Sequence, residues 1–161
     1  MALRTPLVIV NGQIQQLQAG DTLNVTAVGG GDVISLTNDN VGAITLGMPV
    51  YATAADHVDK ARANAAGTVQ VVGLVQATSI ASGASGNIQV NGILTGSTAQ
   101  WDAAFGTVGG LVFNTRYFLS ATTAGLGTST APTTVGQYDV ELGIALSTTE
   151  LSVAITTPIL L

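Results

Sequence analysis

The residues able to do chemistry in this chain are few and widely spaced. His57 is the only histidine, and it stands between Asp56 and Asp59 in a stretch, 54–60, that reads as the exposed tip of a hairpin. A general base or metal ligand needs partners fixed at its ring nitrogens, and the flanking sequence offers none, so a solvated loop histidine is expected. Serines are plentiful, but no Gly-x-Ser-x-Gly elbow presents one. Gly83-Ala84-Ser85-Gly86 reads as a loop because no strand-to-helix step surrounds it. Asn38-Asp39-Asn40 carries oxygens that suit calcium but lacks the remaining ligands of a binding loop, and is expected to be a plain turn. Gly29-Gly30-Gly31 precedes no helix and so forms no phosphate cradle. Asp139 and Glu141, two apart on one strand, share a face. Such a pair can serve glycoside hydrolysis, and a solvated strand face explains it equally well. With three Tyr, three Phe and one Trp, the chain has few aromatic platforms for a sugar. The absence of Cys removes thiol chemistry, disulfides and thiolate metal sites. The expectation is a non-enzymatic protein without cofactor or metal.

Composition points the same way. At 161 residues the chain is long enough for one domain with an appendage and a real core. Charged residues make up 8%, about a third of the usual share. Four Lys or Arg against nine Asp or Glu leave a net charge of −5 with no basic cluster, so nucleic acid is not an expected partner. Nor is a membrane: the longest stretch without a polar residue, 46–52, contains Gly and Pro and falls far short of the roughly 20 residues a spanning helix needs. No basic, apolar leader pattern opens the sequence, and a soluble protein made without export is expected. An uncharged surface rich in Thr and Ser suits a chain that works packed against other protein.

From residue 32 onward the pattern is β, with turn signals at short intervals. The organising stretch is 109–129, where Asn114-Thr115 turns the chain into an apolar strand, Arg116-Tyr117-Phe118-Leu119-Ser120-Ala121. Gly47-Met48-Pro49-Val50-Tyr51-Ala52-Thr53-Ala54 aligns with 114–121 without a gap. Gly47 and Asn114 share a tolerance of positive φ, which a kink before a strand requires. Downstream, Val71-Val72-Gly73-Leu74-Val75 corresponds to Glu141-Leu142-Gly143-Ile144-Ala145, and Ile88-Gln89-Val90 to Leu151-Ser152-Val153. Two pseudo-repeated halves account for these echoes; the generic patterning of small β proteins is the competing explanation. The one helical candidate is 98–105, with Thr98 as cap, Asp102 favourable to the dipole and Gly106 as stop. Its Trp101, Ala104 and Phe105 would cover an open end of the β structure.

Residues 1–31 differ from the rest. Leu7-Val8-Ile9-Val10 meets the turn dipeptide Asn11-Gly12, Ile14 and Leu17 are too sparse to fill a core face, and Gly29-Gly30-Gly31 is a flexible break. The segment reads as an extended arm or small hairpin joined by a glycine hinge, with ordinary edge strands of the main fold as the alternative. Its anchors for a capsid or oligomer interface would be Leu7, Ile9, Leu17 and Leu23. The expected architecture is all-β: an arm over 1–31, and over 32–161 a small β-barrel or sandwich with one short helix.

Several stretches resemble a module recurrent in tailed-bacteriophage structural proteins: Trp101-Asp102-Ala103, Gly109-Gly110-Leu111, Tyr117-Phe118-Leu119-Ser120 and Ala131-Pro132-Thr133-Thr134-Val135-Gly136-Gln137. The run 140–151 is similar to the close of that module, and 6–17 to segments that precede it in fibre and head proteins. Asn114 departs from the pattern, where Gly is expected. The resemblance implies a β-barrel or sandwich serving as a capsid decoration (cement) protein on the virion exterior. Such proteins commonly form homotrimers at three-fold positions and clamp the major capsid protein; this one would be made in the bacterial host cytoplasm. A tail- or head-fibre module that binds a host receptor is the alternative, although the long repeats, coiled coils and shafts usual in fibres are missing.

Overall fold

The structure is a computed structural model that describes residues 7–10, 13–16 and 31–161. In chain order the strands are β1 (Leu7–Val10), β2 (Gln13–Gln16), β3 (Val33–Asn38), β4 (Ile44–Thr45), β5 (Pro49–Ala54), β6 (His57–Lys60), β7 (Val71–Val75), β8 (Ser79–Ile80), β9 (Ser85–Gln89) and β10 (Asn91–Thr95). Helix α1 (Thr98–Phe105) follows, then β11 (Arg116–Leu119), β12 (Gly127–Thr128), β13 (Tyr138–Asp139), β14 (Glu141–Ala145), β15 (Glu150–Ala154) and β16 (Ile159–Leu160). Among the described residues the fold is all-β apart from one short helix, as the turn-punctuated sequence implies. No helix among the described residues is long and apolar enough to cross a membrane. Strands β1 and β2 pair antiparallel with Val10 opposite Gln13.

The two halves repeat strand by strand. The first is a closed barrel in the order β3-β6-β5-β7-β9, and the second a five-stranded sheet in the order β10-β15-β14-β11-β12. Opened at the β3–β6 seam, the barrel reads β3-β9-β7-β5-β6, the same order. Registers coincide as well: Val50 pairs with Gly73 as Tyr117 pairs with Gly143, and each pairing shifts at the next residue, between Val50 and Tyr51 and between Tyr117 and Phe118. The turns before these strands share their hydrogen bonds. Gly47 N donates to Val75 O and Asn114 N to Ala145 O, both at 2.9 Å, while Val75 N and Ala145 N donate back to Met48 O and Thr115 O. Gly47 (φ 83°) and Asn114 (φ 60°) take the left-handed conformation expected of them, and Asn pays a modest steric cost that Gly avoids.

The halves close differently. The barrel seals through a short parallel pairing of β3 with β6, Thr37 beside His57 and Asn38 beside Val58. In the second half α1 takes that place: a Cβ added at Gly127 on β12 would collide with the Phe105 ring. The helix boundaries match expectation, but the cap is Ser97, not Thr98. Ser97 Oγ accepts from Gln100 N while Gln100 Oε1 accepts from Ser97 N, so a capping box one residue earlier satisfies two helix-end donors. Trp101, Ala104 and Phe105 are buried as the spacing requires, and the Trp101 indole donates to Thr149 O at 3.0 Å.

Two cores result. Ile44, Val50, Val58, Val75, Ile80 and Ile88 fill the barrel. The larger core joins the halves, with Leu46, Leu74 and Ala61 from the first meeting Trp101, Tyr117 and Leu151 from the second. Each large side chain buried there contributes about 1.5–3 kcal/mol, so the halves stabilise each other. Gly73 and Gly143 mark the tightest points. A Cβ at Gly73 would stand 2.6 Å from Gln89 O, and one at Gly143, whose φ is 153°, would overlap the equivalent carbonyl of Ser152. Gly143→Ala is therefore expected to destabilise by about 3 kcal/mol or more, whereas Gly67→Ala, with nothing within 4 Å, should shift stability by less than about 1 kcal/mol. Urea unfolding of the two variants checks the contrast.

Candidate functional site

The barrel seam brings His57 together with the Asn38-Asp39-Asn40 stretch. Because β3 ends parallel to the start of β6, Asp39 faces both His57 and the β5 hydroxyl of Thr53. His57 Nδ1 lies 2.6 Å from Asp39 Oδ1, and Thr53 Oγ1 donates to Asp39 Oδ2 at 2.6 Å. These contacts, Thr53 first and His57 second, hold the Asp39 carboxyl below its ordinary pKa. His57 is thus the first residue of a strand with a carboxylate partner 18 positions upstream, not a solvated tip without partners. Thr53 gives its proton to the carboxylate and not to the imidazole, so the trio lacks the hydroxyl-to-imidazole bond that activates a nucleophile.

Asn38-Asp39-Asn40 is more than a turn. Asn38 is fully buried: its Nδ2 donates to Gly42 O and Ile80 O, and its Oδ1 accepts from Asn40 N. Asn40 Nδ2 donates to Asp59 Oδ1. The oxygens that suit calcium in sequence are occupied by the protein's own donors. Among the described residues no group of three or more His, Cys, Asp or Glu is arranged to hold a metal ion.

Asp139 and Glu141 fall on successive short strands, β13 and β14, not on one strand, yet both line a cleft of about 320 Å³ with Arg116, Phe118 and Thr156. Arg116 Nη1 donates to Glu141 Oε2 at 3.1 Å, which makes the second carboxylate half of an ion pair. A second groove, about 410 Å³, is walled by hydroxyls including Ser120, Thr122, Thr128 and Thr130, with Phe105, Leu126 and Pro132 among its apolar members.

The turn leading into β11 leaves Val112 and Phe113 exposed, and Leu146 is exposed as well. This turn is braced from both sides. Asp102 on α1 accepts from Thr107 Oγ1, Gly109 N and Gly110 N, and Tyr117 Oη accepts from Val112 N at 3.0 Å. The bonds from Gly110, then Thr107, hold the Asp102 carboxyl below its ordinary pKa. Sequence reasoning gave Asp102 to the helix dipole; its carboxylate instead fixes the glycine loop after the helix. The spacing of an acid followed by Thr107-Val108-Gly109-Gly110 is the signal that carried this.

Of the four anchors assigned to the arm, Leu7 and Ile9 lie on β1, opposite Gln16 and Ile14, while Leu17 and Leu23 lie outside the described residues, as do Gly29 and Gly30 of the hinge. No family model, curated protein or solved structure matches the chain.

Both lowered carboxylates tie stability to pH with a fixed sign. A carboxyl with a depressed folded pKa stabilises above its unfolded value, near 3.8, and loses that contribution as pH falls through the folded value. Stability should therefore hold from neutrality down to the carboxylate range and then drop. Asp102→Asn should be less stable at neutral pH and show a shallower acid limb, read as the urea midpoint against pH.

Proposed function

We propose that this chain is a non-enzymatic virion structural protein that decorates and stabilises the capsid of a tailed bacteriophage. Its partner is the major capsid protein, its own state is a homotrimer, and it sits on the capsid exterior after synthesis in the host cytoplasm. It takes no cofactor, and neither nucleic acid nor membrane is a partner. The observation that carries this reading is the pairing of a β body of very low charge with a braced, uncovered apolar turn, in a sequence that resembles phage structural modules over most of its length, most strongly from Trp101 to Val153. An apolar surface held in place by internal hydrogen bonds costs little entropy to bury against protein, and low charge makes that burial insensitive to salt.

In this reading the segment over 1–31 is an arm that docks on a neighbouring capsid subunit through Leu7, Ile9, Leu17 and Leu23. Strand addition supplies the backbone hydrogen bonds that offset the ordering cost of about 1–2 kcal/mol per residue. A tail- or head-fibre module binding a host receptor is the second reading, favoured by the hydroxyl-walled groove around Ser120 and Thr128, a surface that can hydrogen-bond a glycan.

Purified protein is expected to bind undecorated capsids stoichiometrically at three-fold positions in cryo-electron micrographs. Deleting residues 1–30 should leave a folded, soluble protein whose capsid occupancy falls at least tenfold. An unfolded truncated chain would make the arm part of the core, and full occupancy without it would move the docking surface to the β body. Localisation to fibres, with glycan binding on an array, would favour the second reading.

A further inference from the structure

The barrel is joined by unequal ladders. On one side β3 shares five residue pairs with β9, and on the other only two with β6, Thr37 with His57 and Asn38 with Val58. The β3–β6 ladder is also the one parallel ladder of the barrel, and parallel pairing is slightly the weaker kind per residue. Across it Thr37 N donates to Asp56 O and Asp39 N to Val58 O, both at 2.8 Å. The residue between them is held from the opposite side. Asn38 N donates to Ala84 O, and the buried Asn38 amide donates to Gly42 O and Ile80 O. The Thr37 and Ser85 hydroxyls hydrogen-bond on that side as well. The end of β3 is thus fastened toward β8 and β9 by bonds that owe nothing to the seam.

Beyond its short ladder, the seam is held by side chains of two residues. Asp39 Oδ1 meets His57 Nδ1 on β6, and Asp39 Oδ2 accepts from Thr53 Oγ1 on β5. Asn40 Nδ2 donates to Asp59 Oδ1 on β6. Bonds to an ionised carboxylate are stronger than neutral ones, so Asp39 dominates the set. His57 is the titratable group facing it. The remaining titratable groups of residues 33–90 are Tyr51 on β5, Asp56, Asp59 and Lys60 in and beside β6, and Arg62 beyond it; β4, β7, β8 and β9 bring none.

We propose that Asp39 is the latch of the barrel: its ionised carboxylate keeps the β3–β6 seam shut, and protonation lets that seam open locally while β3 stays paired with β9. The opened half would have the strand order β3-β9-β7-β5-β6, which is the order of the second half, where β10 and β12 do not pair. Opening uncovers the barrel core at Val58, fully buried on β6. The pH sense is fixed by the bonds themselves. Thr53 first and His57 second hold the Asp39 carboxyl below its ordinary value of 3.8. Closure is therefore favoured above that value and loses this contribution as pH falls through the lowered one. The inference goes beyond the capsid reading and does not depend on it.

Native-state hydrogen exchange tests the latch, because Thr37 N and Asn38 N are neighbours that donate to opposite sides of β3. In the wild-type chain Thr37 should exchange through a smaller opening than Asn38, with a weaker dependence on added denaturant. Its opening free energy should fall relative to that of Asn38 as pH is lowered through 3.8. Asp39→Asn should speed Thr37 exchange by about fivefold, leave Asn38 as it was, and remove most of the pH dependence. Thr53→Val, which keeps the carboxylate, should speed Thr37 less and retain the pH dependence. Equal opening free energies for Thr37 and Asn38 in the wild-type chain would overturn the local seam. An unchanged Thr37 rate in Asp39→Asn, or a pH dependence that persists there in full, would overturn the role of Asp39. A lowered urea midpoint with Thr37 and Asn38 speeded alike would assign the effect to the whole fold and overturn the latch too.

Discussion

The architecture depends on one backbone approach made twice. At Gly73 and Gly143 the central strand of each half comes so close to the carbonyl of the next strand, Gln89 or Ser152, that no Cβ fits between them. On the other side of the same glycines the partner strand slips register by one residue. A bulge bends and over-twists its strand, and curling a five-stranded sheet tightly enough to enclose a core requires such bending. The glycine accepts the approach and the bulge supplies the curvature. Side chains on either side of it then face inward in both halves: Val50 and Val75 in the first, Tyr117 and Ala145 in the second.

Given that shared frame, the differences between the halves come from what closes the sheet. The first half closes on itself into a small barrel, with the buried Asn38 amide tying the end of β3 to Gly42 and Ile80. The second half has α1 inserted, and the helix works in two directions. Phe105 closes over Gly127 and stacks on Tyr117 with ring centroids 4.9 Å apart, while Trp101 reaches across to the Leu46–Gly47 turn of the first half. The insertion is thus both the lid of one half and the joint between the two. Asp32 and Asn91 add a second tie: their side chains hydrogen-bond at 2.6 Å where β3 and β10 begin.

Much of this was legible in the sequence because it is local or repeated. The gapless match of 47–54 with 114–121, and the shared glycine of 71–75 and 141–145, mark positions where backbone geometry leaves little choice of residue. The helix over 98–105 follows from spacing and a stop glycine, and only its cap shifted, since Ser97 and Thr98 are both competent caps and the Gln100 that decides between them acts through a side-chain bond. What escaped was long-range. The parallel closure of β3 on β6 has no local signature, so neither the Asp39–His57 pair nor the burial of Asn38 could be read from neighbours in the chain. Asp139 and Glu141 shared a wall as expected but on two strands, because β13 pairs with β16 while β14 pairs with β11 and β15.

The central claim is that two equivalent units share one cooperative core, and native-state hydrogen exchange addresses it most directly. The amides of Val75 and Ala145 occupy equivalent places, each donating to the turn before its bulged strand. If the core joining the halves unites them, both amides should exchange only through global unfolding, with matching free energies and the same dependence on added denaturant. If Val75 exchanges through a much cheaper opening than Ala145, or the reverse, the halves unfold independently and the shared core does not hold them as one body.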